Sequence, residues 1–282
     1  MIAVTGSSGK LGQLVIAQLL KKVPAQQIIA LVRNPEKVPD LIRQGIQVRQ
    51  ADYSQPQTLS VALKGVTDLL LISSSEIGQR VQQHQAVIQA AVQTGVQKIV
   101  YTSILKADTS TLGLAAEHLQ TEKLILASGL KYTILRNGWY LENHTENMAA
   151  ALQHLAVLGS AQDGRFASAS RLDYAQAAAA VLTQPGHEQK IYELAGDQSF
   201  TLADYAATLG KLSGRSIVYQ DLPAAEFEKI LLGFGLPAGM ANLLADSDVG
   251  AAAGGLNSNS NDLSRLIGRA TTTLADSIKN HL

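Results

Sequence analysis

Cysteine is absent from this chain of 282 residues, and its absence removes three kinds of chemistry together. Without a thiol the protein has no disulfide bond, no thiolate metal site and no cysteine nucleophile. An excess of charge is absent as well, because 23 basic residues balance 23 acidic ones. The whole chain therefore lacks the long-range attraction that binders of nucleic acids and membrane surfaces use.

Long hydrophobic runs are also scarce, and apolar runs such as residues 69–72 are far too short to cross a bilayer. Strand-like sequence begins at Ile2 without a charged leader before it. Together with the missing cysteine, this predicts a cytoplasmic protein with no membrane segment and no nucleic-acid partner. Hydrophobic residues still make up 46% of the chain, enough to bury a sizeable core.

Short apolar runs alternate with longer amphipathic segments through the first half of the chain. Several runs are apolar on both faces, as the strands of a buried parallel sheet are. Right-handed crossovers then predict an α/β fold of the Rossmann type, a doubly wound parallel sheet with helices on both faces. The predicted strands are residues 2–5, 28–32, 46–49, 69–72, 99–102 and 132–135.

The stretch VTGSSGKLG places Gly6, Gly9 and Gly12 at the junction of the first strand and the first helix. The first glycine permits a tight turn, the second lets the backbone approach a pyrophosphate, and the third lets the helix pack on the strand. A Walker loop is excluded because Leu11 stands where Ser or Thr would follow the lysine. The pattern predicts a dinucleotide site, with a turn that binds nothing as the alternative. The residues expected to hold its phosphates are Gly6, Ser7, Ser8, Gly9, Lys10 and Leu11.

The residues after the second strand indicate which dinucleotide is bound. An NAD site usually has an acidic residue there for the ribose 2′-hydroxyl, whereas LVRNPEK offers Arg33 and Lys37 and no carboxylate until Glu36. A guanidinium suits the 2′-phosphate of NADPH, and one such contact is worth about 1.5–3 kcal/mol, on the order of ten- to a hundredfold in affinity. Arg33 therefore favours NADPH as the cofactor, although a solvated surface arginine is the alternative.

Two further strand ends carry polar residues. Asp52 and Tyr53 close the third strand and could flank an adenine, and Ser73, Ser74 and Ser75 follow the fourth strand, where a dinucleotide would cross the sheet edge. We include the three serines among the cofactor-binding candidates. Ordinary polar loops would look the same at both places.

Several segments together resemble the NmrA-like branch of the atypical short-chain dehydrogenases/reductases. They are TGSSGKLG, LVRNPEK, ADYSQP, YTSILKAD, EKLILASGLKYTILRNGWYLEN and LIGRATT. The resemblance covers essentially the whole chain, and RNGWYLEN is its most specific part. Ala270 departs from the proline expected in the last segment, which concerns a turn more than the chemistry.

Mainstream members of this superfamily use Tyr-x-x-x-Lys, in which the tyrosine protonates the alkoxide product. None of the eight tyrosines here has a lysine four residues later; Lys123 matches the family's lysine, and Leu119 occupies the tyrosine place. A simple ketone gives a strongly basic alkoxide, so a positioned acid matters, but a quinone gives a hydroquinone anion that water can protonate. The resemblance implies an NADPH-dependent quinone reductase that transfers hydride directly, without flavin, to a small-molecule quinone.

The resemblance also assigns roles to side chains. Lys123 would bind the nicotinamide ribose, and the segment after the sixth strand would cover nicotinamide and acceptor. The residues of that segment are Asn137, Gly138, Trp139, Tyr140 and Asn143. Lys123, Tyr140 and Asn143 are the catalytic candidates. The alternatives are an exposed helical lysine at position 123 and packing between lobes for the aromatic pair.

Two other functions stay open at this stage. One is an NmrA-like redox sensor that binds NADP(H) without turnover, and the other is an NADPH-dependent reductase of another small conjugated substrate, with Lys123 as acid or base. A metal site is not expected, because the six histidines show no i, i+4 pairing. His84 reads as a half-buried helix residue, and His118 and His144 are more often structural in such positions than proton carriers. No G-x-S-x-G elbow occurs.

The domain organisation follows from the change of rhythm after Arg136. Residues 1–136, with 166–195 returning, are expected to form the NADP-binding Rossmann domain. Residues 137–165, read as a turn and one helix, and 196–282 are expected to form a smaller, mainly helical C-terminal lobe on the substrate side. The oligomeric state stays open.

Overall fold

The computed structural model describes residues 1–146 and 148–282. Its strands are β1 (Ile2–Val4), β2 (Ile28–Val32), β3 (Gln47–Gln50), β4 (Asp68–Leu71), β5 (Lys98–Ile104), β6 (Lys131–Asn137), β7 (Ala156–Gly159), β8 (Lys190–Leu194) and β9 (Val218–Asp221). Its helices are α1 (Lys10–Leu19), α2 (Pro39–Arg43), α3 (Pro56–Ala62), α4 (Arg80–Thr94), α5 (Ala115–Ala127), α6 (Leu141–Thr145), α7 (Met148–His154), α8 (Arg171–Thr183), α9 (Leu202–Ser213), α10 (Ala224–Gly233), α11 (Ala238–Ala252), α12 (Asp262–Ile267) and α13 (Leu274–Lys279).

The main sheet has the strand order β3-β2-β1-β4-β5-β6-β8. The strands from β1 to β6 pair in parallel, and Ile2 of β1 lies opposite Ile28 on one side and Asp68 on the other. The order therefore reverses between β1 and β4, which makes the gap beyond their carboxyl ends the usual ligand position of such sheets. The prediction of a doubly wound Rossmann-type fold is confirmed.

The central strands are buried along their whole length, as β2 (IIALV) and β5 (KIVYTSI) illustrate. Side chains on one face of the sheet pack in a core cluster with α3, α4 and α5. On the other face α1 packs against α8, whose run of buried alanines suits a close approach of two helices. Both faces are thus covered, which is why the strands carry apolar residues without alternation.

The described chain divides into two compact units. The first comprises residues 1–104, 116–137 and 171–192, and the second comprises 105–115, 138–170 and 193–282. The domain boundaries expected from the sequence stay a prediction. Within the second unit β7 and β9 form a parallel two-stranded sheet that the sequence analysis did not foresee. The expectation of one helix in residues 137–165 was wrong, since α6, α7 and β7 all lie there.

Candidate functional site

The glycine turn between β1 and α1 is as tight as its spacing predicts. Gly6 has a φ of 58°, in the left-handed region that favours glycine. A Cβ on Gly12 would clash with the carbonyl oxygen of Gly6 and would lie 2.8 Å from the Cα of Ser7. Because both obstacles are backbone atoms, only glycine lets α1 start this close to the turn.

The start of α1 lacks the side-chain partners that usually close a helix. Its N-cap residue is Gly9, with no side-chain cap bond and no acidic residue in the first turn. The first N–H groups of a helix have no partner within the helix, and the positive end of the helix dipole lies at the same place. An anion is therefore the ligand that this helix start fits.

A cavity of about 240 Å³ opens beside this helix start. Its wall combines the glycine turn with the residues that follow β2, β3 and β4, so it lies where the strand order reverses. Seven of the predicted cofactor-binding residues line it, namely Gly6, Ser8, Gly9, Arg33, Ser73, Ser74 and Ser75. The structure thus brings together residues that are up to 69 positions apart in the chain, from Gly6 to Ser75.

Ser7 and Leu11 face the interior of the first unit instead. The Ser7 hydroxyl donates to the carbonyl oxygen of Val4 at 2.6 Å, and its N–H donates to the Leu31 carbonyl oxygen at 3.3 Å. The Leu11 side chain belongs to the buried core, which leaves its amide at the helix start as the group that can reach an anion. Lys10 is exposed at the first position of α1.

Arg33 lines the cavity and is paired with a carboxylate that the sequence analysis missed. Its Nη1 is 3.4 Å from Oε1 of Glu76, and the two side chains are 75% and 49% exposed. Glu76 directly follows the serine run after β4, so its place after a strand end was the available signal. Such a solvated pair contributes little stability, about 0–1 kcal/mol, and Arg33 is open to another anion.

Asp52 and Tyr53 line the same cavity, but their polar groups are already engaged. The Asp52 carboxylate accepts the N–H of Ser54 at 2.9 Å and Nε2 of Gln55 at 3.2 Å. The Tyr53 hydroxyl donates to the carbonyl oxygen of Ile72 at 2.9 Å, and burial raises the pKa of this phenol. The tyrosine ring is therefore the part that forms the cavity wall.

Lys123 is exposed on α5, next to a residue that is firmly held. The carboxylate of Glu122 accepts Nε and Nη2 of Arg136 at 3.0 and 2.8 Å, and the two side chains are 4% and 7% exposed. Ser103 also donates its hydroxyl to Glu122. Because this buried bidentate pair ties α5 to β6, the backbone that carries Lys123 has a fixed position.

Asn137, the last residue of β6, is buried, and its Oδ1 has no hydrogen-bond partner among the described residues. Leaving a buried acceptor unsatisfied costs about 1–3 kcal/mol, so native proteins rarely do it. The orphaned oxygen points to a donor that a ligand supplies.

The remaining residues of RNGWYLEN belong to the second unit. The N–H of Gly138 donates to the Leu194 carbonyl oxygen at 2.8 Å. Tyr140 then pairs with Ala169 in a parallel bridge before α6 begins. The Trp139, Tyr140 and Asn143 side chains are half-buried. The segment is therefore a short extended stretch with a fixed backbone.

Burial lowers the pKa values of three histidines, His84, His118 and His144. His84 is fully buried, so the expectation of a half-buried residue was wrong; its Nε2 accepts the N–H of Ser74 at 2.9 Å, and burial lowers its pKa to about 3. Burial also lowers the pKa of His118, which shares a 2.7 Å hydrogen bond with the Tyr101 hydroxyl, and lowers that of His144 to about 4. All three imidazoles are neutral at pH 7 and have structural partners.

Two features are absent from residues 1–146 and 148–282. No group of three or more His, Asp and Glu side chains there could hold a metal ion. No helix there is long and apolar enough to span a membrane.

A family model described as NAD(P)H-binding matches residues 6–185. The chain belongs to the NAD(P)H-binding family. The match begins at the first glycine of the turn and includes every residue of the cavity wall. The resemblance to the NmrA-like reductases stated above is confirmed by the full-length relatives.

The relatives extend the match over the rest of the chain. Quinone oxidoreductase 2 of Escherichia coli (strain K12) is 56% identical over 280 residues, which cover 99% of this chain and 98% of that protein. The crystal structure of the NADPH-dependent quinone oxidoreductase from Escherichia coli, complexed with NADPH, has a TM-score of 0.97 and covers 99% of both chains. The triphenylmethane reductase of Citrobacter sp. complexed with NADP(H) is 40% identical over the whole of both chains, also with a TM-score of 0.97.

Proposed function

We propose that the protein is an NADPH-dependent quinone oxidoreductase that transfers hydride directly to a quinone, without flavin. The observation that carries the proposal is the cavity at the strand-order reversal, where an open helix start and Arg33 meet. These are the groups that a pyrophosphate and a 2′-phosphate require. The full-length similarity to a quinone oxidoreductase of the same cofactor preference supports the acceptor.

The residues of this chain fit NADPH at several points. The glycine turn and the amides at the start of α1 would hold the pyrophosphate, and Arg33 would bind the 2′-phosphate. The run Ser73 to Ser75 would lie along the dinucleotide where it crosses the sheet edge. The orphaned Oδ1 of Asn137 would accept a hydrogen bond from the nicotinamide carboxamide, which satisfies a buried acceptor that lacks a partner.

Bound NADPH would supply the hydride, and the residues of the chain would hold the cofactor and the acceptor in place. We propose that Lys123 binds the nicotinamide ribose and that Trp139, Tyr140 and Asn143 belong to the segment that covers the nicotinamide and the acceptor ring. Leu119 is half-buried at the place of the family's tyrosine, so no side-chain acid stands there. That arrangement suits a quinone, because the hydroquinone anion is a weak base and gains little from general acid catalysis.

The direct test mixes the protein with NADPH and a simple benzoquinone and follows the loss of nicotinamide absorbance. Consumption above the rate without protein, with no flavin added, is the expected result. NADH in place of NADPH is the matched control and should react far more slowly at equal concentration. Tight NADPH binding without turnover on several quinones would contradict the proposal and favour the redox sensor.

Lys123→Met tests the proposed role of the lysine. If Lys123 only holds the ribose, the variant binds NADPH more weakly and its residual hydride step is independent of pH. A residual rate that rises as pH falls would instead assign proton donation to the lysine. Unchanged binding and turnover would remove Lys123 from the site.

A second candidate function is the reduction of another conjugated acceptor. The triphenylmethane reductase of Citrobacter sp. is 40% identical over both whole chains, so a triphenylmethane dye is the alternative acceptor for this site. The redox-sensor reading is not favoured, since the full-length relatives are reductases by name. We also propose a cytoplasmic location, which the absence of cysteine supports.

A further inference from the structure

Two opposite charges meet in the cavity wall beside Arg33, where the nucleotide's 2′-phosphate would bind. Nη1 of Arg33 and Oε1 of Glu76 are 3.4 Å apart, and both residues line the cavity. A dianionic phosphate beside Arg33 would therefore also lie close to a carboxylate of its own sign. The pair gives this part of the site an attractive and a repulsive group at once.

The carboxylate of Glu76 is held in place rather than loose on the surface. Its other oxygen, Oε2, accepts Nε2 of Gln83 at 2.7 Å, and Gln83 is only 5% exposed. The carbonyl oxygen of the same amide accepts the Ser74 hydroxyl, and Ser74 Oγ in turn accepts the N–H of Glu76 at 3.1 Å. Three residues thus close a ring of hydrogen bonds that aims the free carboxylate oxygen at Arg33.

The other carboxylate that lines the cavity does not offer the same interaction. Asp52 is occupied by Ser54 and Gln55 in its own turn. Glu36 is near Arg33 in the sequence but does not line the cavity. Glu76 is therefore the acidic group that acts on the arginine.

We infer that Glu76 is a specificity-determining residue that competes with the nucleotide's 2′-phosphate for Arg33 and so limits the preference for NADPH over NADH. The inference rests on the proposed binding of NADPH. In the free protein the carboxylate neutralises the arginine, and a 2′-phosphate must displace it. NADH, which carries a 2′-hydroxyl, has no such competitor.

The test is Glu76→Gln, because glutamine keeps an acceptor for the Gln83 amide while it removes the charge. Calorimetric titration with NADPH should show binding about two- to fivefold tighter than in the unchanged protein, the size of exposed ion-pair interactions. NADH affinity should stay the same. The affinity for adenosine 2′-monophosphate should increase as that for NADPH does, and the affinity for adenosine 5′-monophosphate should stay the same.

Glu36→Gln is the matched control, since it removes one exposed negative charge near Arg33 outside the cavity. It should leave the ratio of NADPH to NADH affinity unchanged, and an equal gain would mean that net charge alone is responsible. In an Arg33→Ala background, Glu76→Gln should give a smaller gain, because the competition for the arginine is gone.

Three results would overturn the inference. They are unchanged NADPH affinity in Glu76→Gln, a parallel change for both cofactors, and a selective loss of NADH, which would mean that Glu76 binds a ribose hydroxyl. Failure of the proposed function looks different, because the unchanged protein would then not bind NADPH or would not oxidise it with any quinone or dye.

Discussion

Helices α1 and α9 begin at N-cap residues of nearly the same backbone conformation, but only the first N–H groups of α9 have side-chain partners. The N-cap residues Gly9 and Thr201 have φ/ψ of −80°/164° and −93°/167°. In α9 the Thr201 hydroxyl accepts the N–H of Asp204 at 3.0 Å, and the Asp204 carboxylate accepts the N–H of Thr201 at 2.9 Å. In α1 no side chain does either. One helix start is closed by its own residues, and the other is open to a ligand.

The difference comes from two positions, the N-cap and the third helical residue. Where α9 has threonine and aspartate, α1 has Gly9 and Gly12. Glycine at both places removes the capping groups and also lets the strand–helix turn contract. A helix start without capping groups is less stable than a capped one. Its place beside a cavity therefore indicates that its free N–H groups bind a ligand, which a cap would prevent.

The largest effect is expected from Gly12→Ala. A Cβ there meets the backbone of Gly6 and Ser7, so the turn must widen and the amides at the start of α1 move away from the phosphate position. We expect loss of measurable NADPH binding. The melting temperature should fall as well, because the free energy of unfolding should decrease by about 1–3 kcal/mol.

Gly233→Ala is the control for this experiment, because Gly233 lies in α10 and a Cβ there meets nothing within 4 Å. It should raise stability slightly, by about 0.5–1 kcal/mol, through helix propensity. A Gly12→Ala variant that binds NADPH normally would show that the open helix start is not the phosphate site.

The next effect concerns Arg33→Ala, which keeps the open helix start but removes the arginine from the cavity wall. NADPH affinity should fall on the order of ten- to a hundredfold, the worth of one charge-assisted contact, while NADH affinity barely changes. Lys37→Ala, at an exposed position that does not line the cavity, should change neither. Equal losses for both cofactors in Arg33→Ala would give the arginine a structural role.

Arg33 and Glu76 differ in whether their place in the cavity could be predicted from the sequence. The glycine spacing and a basic residue after β2 follow local rules, so the fold and the cavity wall that these residues form were predictable. Glu76 is held by the buried Gln83 on α4 and by Ser74 after β4. No local sequence pattern predicts a contact among these three residues. The strand β9 was missed because its four residues are mostly exposed and show no alternation of buried and exposed positions.

In a loop of the second unit, residues 160–162, the backbone N–H groups donate to side chains from distant parts of the chain. Those of Ser160 and Gln162 donate to Asp248 and Asp221, both at 2.8 Å, and that of Ala161 donates to the Tyr219 hydroxyl at 3.1 Å. Internal carboxylates thus stand where a ligand anion would lie. Burial raises the pKa of Asp248 from 3.8 to about 6, with a smaller contribution from the Asp221 charge.

This raised pKa predicts a loss of stability as pH rises. The folded value lies above the unfolded one, so the contribution is complete below about pH 4 and is lost as pH approaches about 6. A rise of the pKa from 3.8 to about 6 corresponds to about 3 kcal/mol of unfolding free energy. Solvent screening at this half-buried carboxyl reduces that contribution to about 1–2 kcal/mol. Urea unfolding at several pH values should show the decline, and Asp248→Asn should lack it. A variant with the same pH profile as the unchanged protein would assign the decline to other groups.

The smallest effect is expected at the closed helix start, and it completes the comparison with α1. Thr201→Ala removes the hydroxyl that accepts the N–H of Asp204, which should cost about 1 kcal/mol of unfolding free energy and about 2–4 °C in melting temperature. Thr201→Ser keeps the hydroxyl and should recover most of the loss. NADPH affinity should be the same in both variants, because a cap that serves only its own helix has no ligand to lose. If Thr201→Ala changed cofactor affinity as Gly12→Ala does, capping and ligand binding would not be separable in this fold, and the argument that an open helix start marks the nucleotide site would fail.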